Sequence, residues 1–286
     1  MKVYSPSQTL EWSRCPFLWA TVYKKGWRSD TVDKRDLAAS LGVAFGAGME
    51  HYNNVKRILG VNYATPLVVR RAQDVAVGTL EAEWKKWVDL GLDCSVLAET
   101  GDVRDQLEHS LQFAIEKDPT PVEWKVVHVE ETMPLHGNAR ADVVYELPTG
   151  EKVVRDYKFA LSVTARYVDD RLADYGTHPQ SYHYPWMHRA SMFIPTLVIA
   201  SPRPSMKELV VSRSTKDIDS WLVSQKVKWA SMERMEEGLE GVWRSDTHKT
   251  QYGKCGLYDF CHTYEADESR LPGIGFIQVE RKSHAA

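Results

Sequence analysis

The stretch from Met133 to Ala160, MPLHGNARADVVYELPTGEKVVRDYKFA, most constrains what this chain can fold into. Ala141, Val143, Tyr145 and Leu147, then Val153, Tyr157 and Phe159, follow the two-residue period of half-buried strands. Pro148-Thr149-Gly150 supplies the turn between them, and a three-residue loop with glycine at its left-handed position is a common hairpin connection. With Leu147 facing Glu151, counting back along both strands places Asp142 opposite Asp156 and Arg140 opposite Lys158. All four then share one face of the hairpin.

Carboxylates directly across a strand pair destabilise it when bare. A divalent cation removes that penalty, and Mg²⁺ or Mn²⁺ accepts carboxylate, carbonyl and water oxygens. Asp142, Asp156 and the Tyr157 carbonyl between Asp156 and Lys158 form a partial shell of that kind. The competing reading makes Arg140, Asp142, Glu146, Lys152, Asp156 and Lys158 the wet face of an ordinary antiparallel hairpin, with Glu146 and Lys152 as a cross-strand pair. The hairpin alone favours the wet face; the other motifs favour the cation.

Asp followed by Asp-x-Lys on an adjoining strand resembles the PD-(D/E)XK nuclease superfamily, with Ala141 in place of the leading proline. Within it the chain is similar to the RecB-like branch, which includes CRISPR-adaptation exonucleases, nuclease domains of recombination helicases and phage exonucleases. Three further matches carry that likeness: Gly46-x-x-x-x-His51 upstream, Gln180-x-x-x-Tyr184 downstream, and an N-terminal segment from Ser5 through Leu10 to Cys15-Pro16. The resemblance implies an α/β (α+β) fold with a restriction-endonuclease-like central mixed sheet flanked by helices. It assigns His51, Asp142, Asp156 and the Tyr157 carbonyl to the metal, and Asp142, Asp156, Lys158, Gln180 and Tyr184 to the chemistry. An acidic residue just before the hairpin assists the metal in some relatives, which here points to Glu131.

Cys255 and Cys261, with Cys15 far upstream, resemble the iron–sulfur staple of many RecB-like exonucleases. A [4Fe–4S] cluster takes four ligands, and His248 stands near the missing position, with Cys94 the spare thiol. A cluster, a Zn²⁺ site using His248 and packed reduced thiols all remain open.

A chain of 286 residues can bury a full core. One nuclease domain over 1–286 is expected, with a helical insertion at about 62–118 and the staple at about 245–265. The net charge of -3 argues against a protein that coats nucleic acid indiscriminately, yet permits a local basic groove. No apolar run is long enough to span a bilayer and no signal peptide is visible, so a cytoplasmic protein is expected. Lys24, Lys25, Arg28, Lys34 and Arg35 around Trp27 form a basic stretch that suits either a phosphate backbone or a solvated loop.

Helices are expected over Ser5–Lys25 with a break at Cys15-Pro16, Asp36–Ile58, Pro66–Leu90, Val96–Glu116, Val163–Asp174 and Thr215–Leu239, and from Pro179 until Pro185 kinks or ends the helix. Small residues, among them Gly42, Gly46 and Gly48, would let the second of these pack closely on a neighbour. Strands are expected over Val122–Met133, Phe193–Ala200 and Glu208–Ser212, with a mobile tail at Arg281–Ala286. The resemblance implies a metal-dependent DNA exonuclease acting on single-stranded DNA or free ends, in recombination, repair or phage DNA metabolism, with recombination or CRISPR-adaptation proteins as partners. A nuclease-fold subunit that binds DNA and acts through partners is the alternative.

Overall fold

The structure is a computed structural model, and describes residues 2–60, 64–99, 103–137, 139–161, 165–201, 203–238, 249–250, 253–254, 271–272 and 276–279. The chain divides into two compact units.

One unit takes in Met1–Thr31, Pro134–Asn138 and Leu222–Ala286. Helix α1 (Pro6–Arg14) starts at Ser5, whose hydroxyl accepts the Gln8 N–H at 3.4 Å. Cys15 is extended because Pro16 follows, and the chain restarts as α2 (Pro16–Trp19) and a π-helical turn, Ala20–Lys24. Strand β1 (Trp27–Ser29) pairs antiparallel with Phe276–Gln278. The expected basic loop is thus partly a strand, and Lys24 donates to the carbonyls of Met235 and Glu236 at the end of the helix Thr215–Glu236. Trp229, Met232 and Met235 of that helix are buried, whereas Val227 is 68% exposed.

The other unit, Val32–Met133 and Ala139–Trp221, holds the central sheet. Helix α3 (Lys34–Leu59) opens with a capping box between Asp33 and Asp36 and ends on left-handed Gly60. Helix α4 (Pro66–Asp89) is capped by Thr65, and α5 (Val103–Glu116) follows a 3₁₀ turn at Ser95–Glu99. Of Gly42, Gly46 and Gly48 on α3, Gly48 alone meets its neighbours closely: a Cβ there would lie 3.1 Å from the Ala72 carbonyl oxygen and 2.5 Å from the Leu111 side chain. Gly42 and Gly46 face open space.

Next come β2 (Lys125–Val129), β3 (Thr132–Met133), β4 (Ala139–Arg140), β5 (Val143–Glu146) and β6 (Lys152–Leu161). Helices α6 (Ala165–Tyr175) and α7 (Gln180–His188) precede β7 (Met192–Ala200), β8 (Ser205–Glu208) and β9 (Val211–Ser212). The main sheet runs β2-β5-β6-β7-β8, with β9 also on β7; only β6 and β7 are parallel, so the sheet is mixed. One face packs Val143, Tyr145 and Tyr157 against Phe45 and Met49 of α3 and Leu107 and Leu111 of α5. The other packs Val144, Val154 and Phe193 against Tyr175 of α6 and Tyr184 and Met187 of α7.

Of the two outcomes expected at Pro185, a kink or an end, the structure excludes the end: α7 continues through it to His188. A proline in a helix deprives the carbonyl four residues back of its partner. Here that carbonyl, on Ser181, accepts from Arg213 Nε at 3.3 Å.

Candidate active site

The hairpin register is the one the turn predicts: Val143 pairs with Arg155, Val144 with Val154 and Glu146 with Lys152. One step further stand Asp142 and Asp156. The ladder stops there, and Asp142 turns its Oδ2 onto the Tyr157 backbone N–H at 2.6 Å. Asp156 is 1% exposed, and Asp142 is half-buried. The wet-face reading therefore fails at the two aspartates.

Because the ladder stops, Arg140 does not face Lys158. It pairs with Thr132 in the separate β3-β4 ribbon, and its guanidinium contacts Glu130. A register shift between Val126 and His128 in β2 changes which acidic residue faces the hairpin. The Glu131 carboxylate contacts His128 Nδ1 instead. Glu130, held at φ 48°, donates its N–H to the Asp142 carbonyl at 3.1 Å, and its carboxylate reaches Asp142. Glu50 of α3 is close enough to raise the Glu130 pKa further. Glu130 and Glu50 are the acidic residues that sequence reasoning missed.

Burial raises the pKa of Asp142 well above the usual carboxylate range, and the neighbouring Asp156 charge adds to it. Burial likewise raises Asp156, partly offset by Lys158. Lys158 Nζ lies 2.6 Å from Asp156 Oδ2. That contact has the distance of an ion pair but not the angles of a hydrogen bond, so Asp156 Oδ2 is buried without a hydrogen-bond donor. Desolvation pulls the Lys158 pKa down, but the Asp156 carboxylate outweighs it and the net shift is upward. Beside Asp156, Lys158 is favoured in its charged form and can donate to phosphate oxygens.

Helix α7 brings Gln180 and Tyr184 to this face, one turn apart. Gln180 Nε2 donates to Tyr184 Oη at 3.0 Å, leaving the phenolic proton available. Burial and the charge of Asp156 raise the Tyr184 pKa, so the phenol stays neutral. Tyr175 presents its ring to Lys158, with Nζ 6.0 Å from the centroid.

His51 lies half-buried on α3, next to Glu50. Among the described residues no three His, Cys, Asp or Glu side chains are grouped to hold a metal ion, so His51 does not join the aspartates in such a group. The aspartates themselves suit a hard cation: two carboxylates meet beside the Tyr157 backbone, and Asp156 Oδ2 lacks a donor. Mg²⁺ is commonly held by one or two carboxylates and completes its shell with water and substrate phosphate.

Cys15 is a free thiol whose sulfur accepts the Leu18 N–H at 3.4 Å, and Cys94 is also free. Cys255, Cys261 and His248 lie outside the described residues, so the cluster and Zn²⁺ expectations fall outside the described structure. No helix among the described residues is long and apolar enough to cross a membrane.

A mixed sheet that delivers an aspartate and an Asp-x-Lys from adjoining strands, flanked by helices on both faces, defines a chain of the nuclease class. The sequence profile of the PD-(D/E)XK nuclease superfamily matches residues 3–257, and the chain belongs to that superfamily. No curated protein matches the sequence significantly. Among solved structures it is similar to a "Putative exonuclease" from Eubacterium rectale, at 13% identity and TM-score 0.44, over 92% of this chain and 88% of that one. It is more distantly similar to a protein titled SSO0001, at 13% identity and TM-score 0.25, over 51% of this chain and 65% of that one.

Proposed function

We propose that the protein is a metal-dependent deoxyribonuclease, an exonuclease of the RecB-like kind acting on single-stranded DNA or free ends. The observation that carries the reading is the meeting of Asp142 with the buried Asp156, which Lys158 contacts at 2.6 Å, in a chain of the PD-(D/E)XK superfamily. The finer reading, an exonuclease, rests on the order of the motifs Gly46 to His51 and Gln180 to Tyr184.

Asp142, Asp156 and the Tyr157 carbonyl would hold Mg²⁺ or Mn²⁺, which would supply Lewis acidity toward the scissile phosphate and an acidified water. Asp156 offers the cation a buried carboxylate oxygen that Lys158 contacts at 2.6 Å, and the Tyr157 N–H fixes the orientation of Asp142. Lys158, held as an ammonium, offsets charge that develops on the phosphate oxygens. Gln180 orients the Tyr184 phenol beside it.

The test is cleavage of end-labelled linear DNA, single- and double-stranded, against closed circles, with Mg²⁺, Mn²⁺ or chelator. Wild type should shorten linear DNA only with metal, and Asp156→Ala and Lys158→Ala should lose about 10²-fold or more in rate while remaining folded. Cleavage that survives chelator, or variants as active as wild type, would contradict the reading. Metal-dependent cutting of circles would replace the exonuclease by an endonuclease. DNA binding without cleavage would favour the partner-dependent binding subunit.

A further inference from the structure

Glu130 is one of two non-glycine residues with positive φ among the described residues. The other, Arg189, ends helix α7, where a left-handed residue is a common cap. Glu130 ends no helix. A left-handed conformation is strained for a non-glycine residue, and strain of this kind collects where a site demands it. At Glu130 it yields two things: the N–H meets the Asp142 carbonyl, and the carboxylate turns inward beside Asp142 and Asp156.

That carboxylate holds Arg140. The ion pair uses Arg140 Nε and Glu130 Oε2, with Glu130 11% and Arg140 56% exposed. The two terminal nitrogens of Arg140 have no protein partner among the described residues. A surface Arg–Glu pair contributes little stability by itself, but Glu130 here is mostly buried. The pair fixes a guanidinium by its inner nitrogen and leaves the outer fork open to solvent. A planar fork with free donors suits two oxygens of one phosphate. It also stands beside a group of carboxylates, Glu130, Asp142, Asp156 and Glu50, that repels a polyanion.

We propose that Arg140 is a substrate-positioning residue, tethered by Glu130 at the edge of the aspartate pair, and that it binds a DNA backbone phosphate neighbouring the one that is cut. The inference rests on the nuclease reading above. Arg140 touches phosphate rather than a base, so its contribution is independent of sequence and depends on salt.

Steady-state cleavage and equilibrium binding to a fluorescent single-stranded oligonucleotide, the latter in chelator over a range of salt, test it with Arg140→Ala and Arg140→Lys. Arg140→Ala should raise KM about 10-fold with kcat within about twofold, and flatten the slope of log affinity against log salt by about 1. Arg140→Lys should keep the salt slope but recover only part of the affinity, because the charge remains while the fork is lost. Melting temperature is read alongside, because Arg140→Ala also leaves the mostly buried Glu130 without its cation, whereas Arg140→Lys keeps that charge. An unchanged KM and salt slope in Arg140→Ala, with wild type cleaving normally, overturns the inference and leaves the nuclease reading intact. If wild type binds without cleaving, the nuclease reading fails and the salt slope alone decides the role of Arg140. If it neither binds nor cleaves, both fail.

Discussion

Asp142 and Asp156 carry the account at the scale of single residues. Both have pKa values raised in the folded chain, so folding takes up protons at this pair. Their contribution to stability is full below the ordinary aspartate range and is lost as pH rises through the folded values. In chelator, urea unfolding of wild type should therefore lose stability, relative to Asp142→Asn, as pH is raised from acid to neutral. Adding Mg²⁺ should raise the melting temperature more at high pH than at low pH, because protons and cation compete for the same oxygens. Scanning calorimetry at several pH values, with and without Mg²⁺, reads both effects. The opposition of the two aspartates was legible because a period-two pattern and a glycine turn fix a hairpin's register. Glu130 was not legible: the shift in β2 and its own left-handed φ reverse the face on which it and Glu131 lie, and neither leaves a mark in the alternation of residue types.

Helices and strands show the same division between what patterns reveal and what packing decides. Caps and prolines set the starts of α1, α3 and α4, where Ser5, Asp33 and Thr65 accept backbone N–H groups. The continuation of α7 through Pro185 depends on Arg213, 32 residues from Ser181 along the chain, which no local pattern announces. Removing it in Arg213→Met should leave the Ser181 carbonyl unpaired and cost about 1–3 kcal/mol in denaturant unfolding. The glycines of α3 divide sharply. Gly46→Ala, facing open space, should stabilise the chain by about 0.5–1 kcal/mol, the ordinary gain for a helix interior. Gly48→Ala should destabilise it, since its methyl group meets Leu111 and the Ala72 carbonyl. Equal effects at the two positions would show that the α3–α4 contact is looser than described.

The unit that holds the site binds its sheet to α3 through a buried ionic network on the face opposite Lys158. Asp118 accepts from Lys56 at 2.6 Å, from Tyr52 at 3.1 Å and from Arg155 at 3.2 Å, and Arg155 continues to Thr120 at 2.7 Å and Glu208 at 3.2 Å. Arg155 immediately precedes Asp156, so the network fixes the strand that carries the site. Lys56 and Arg155 hold the Asp118 carboxyl below its usual range, against the desolvation that opposes them. Asp118→Ala strands both cations and should cost about 3–5 kcal/mol in urea unfolding. Periodicity marked helices and strands and the family resemblance implied the mixed sheet, but neither gave a sign of this network, because its members are single charged residues scattered from 56 to 208 whose partners only the fold supplies.

The central claim is that Asp142 and Asp156 together hold a hard cation. Diffraction from crystals grown with Mn²⁺, recorded for its anomalous signal, tests it most directly. The account predicts a peak at roughly 2.0–2.3 Å from an oxygen of each aspartate, absent in Asp156→Asn crystals. A wild-type crystal in which Lys158 keeps Asp156 and no peak appears between the aspartates would contradict it.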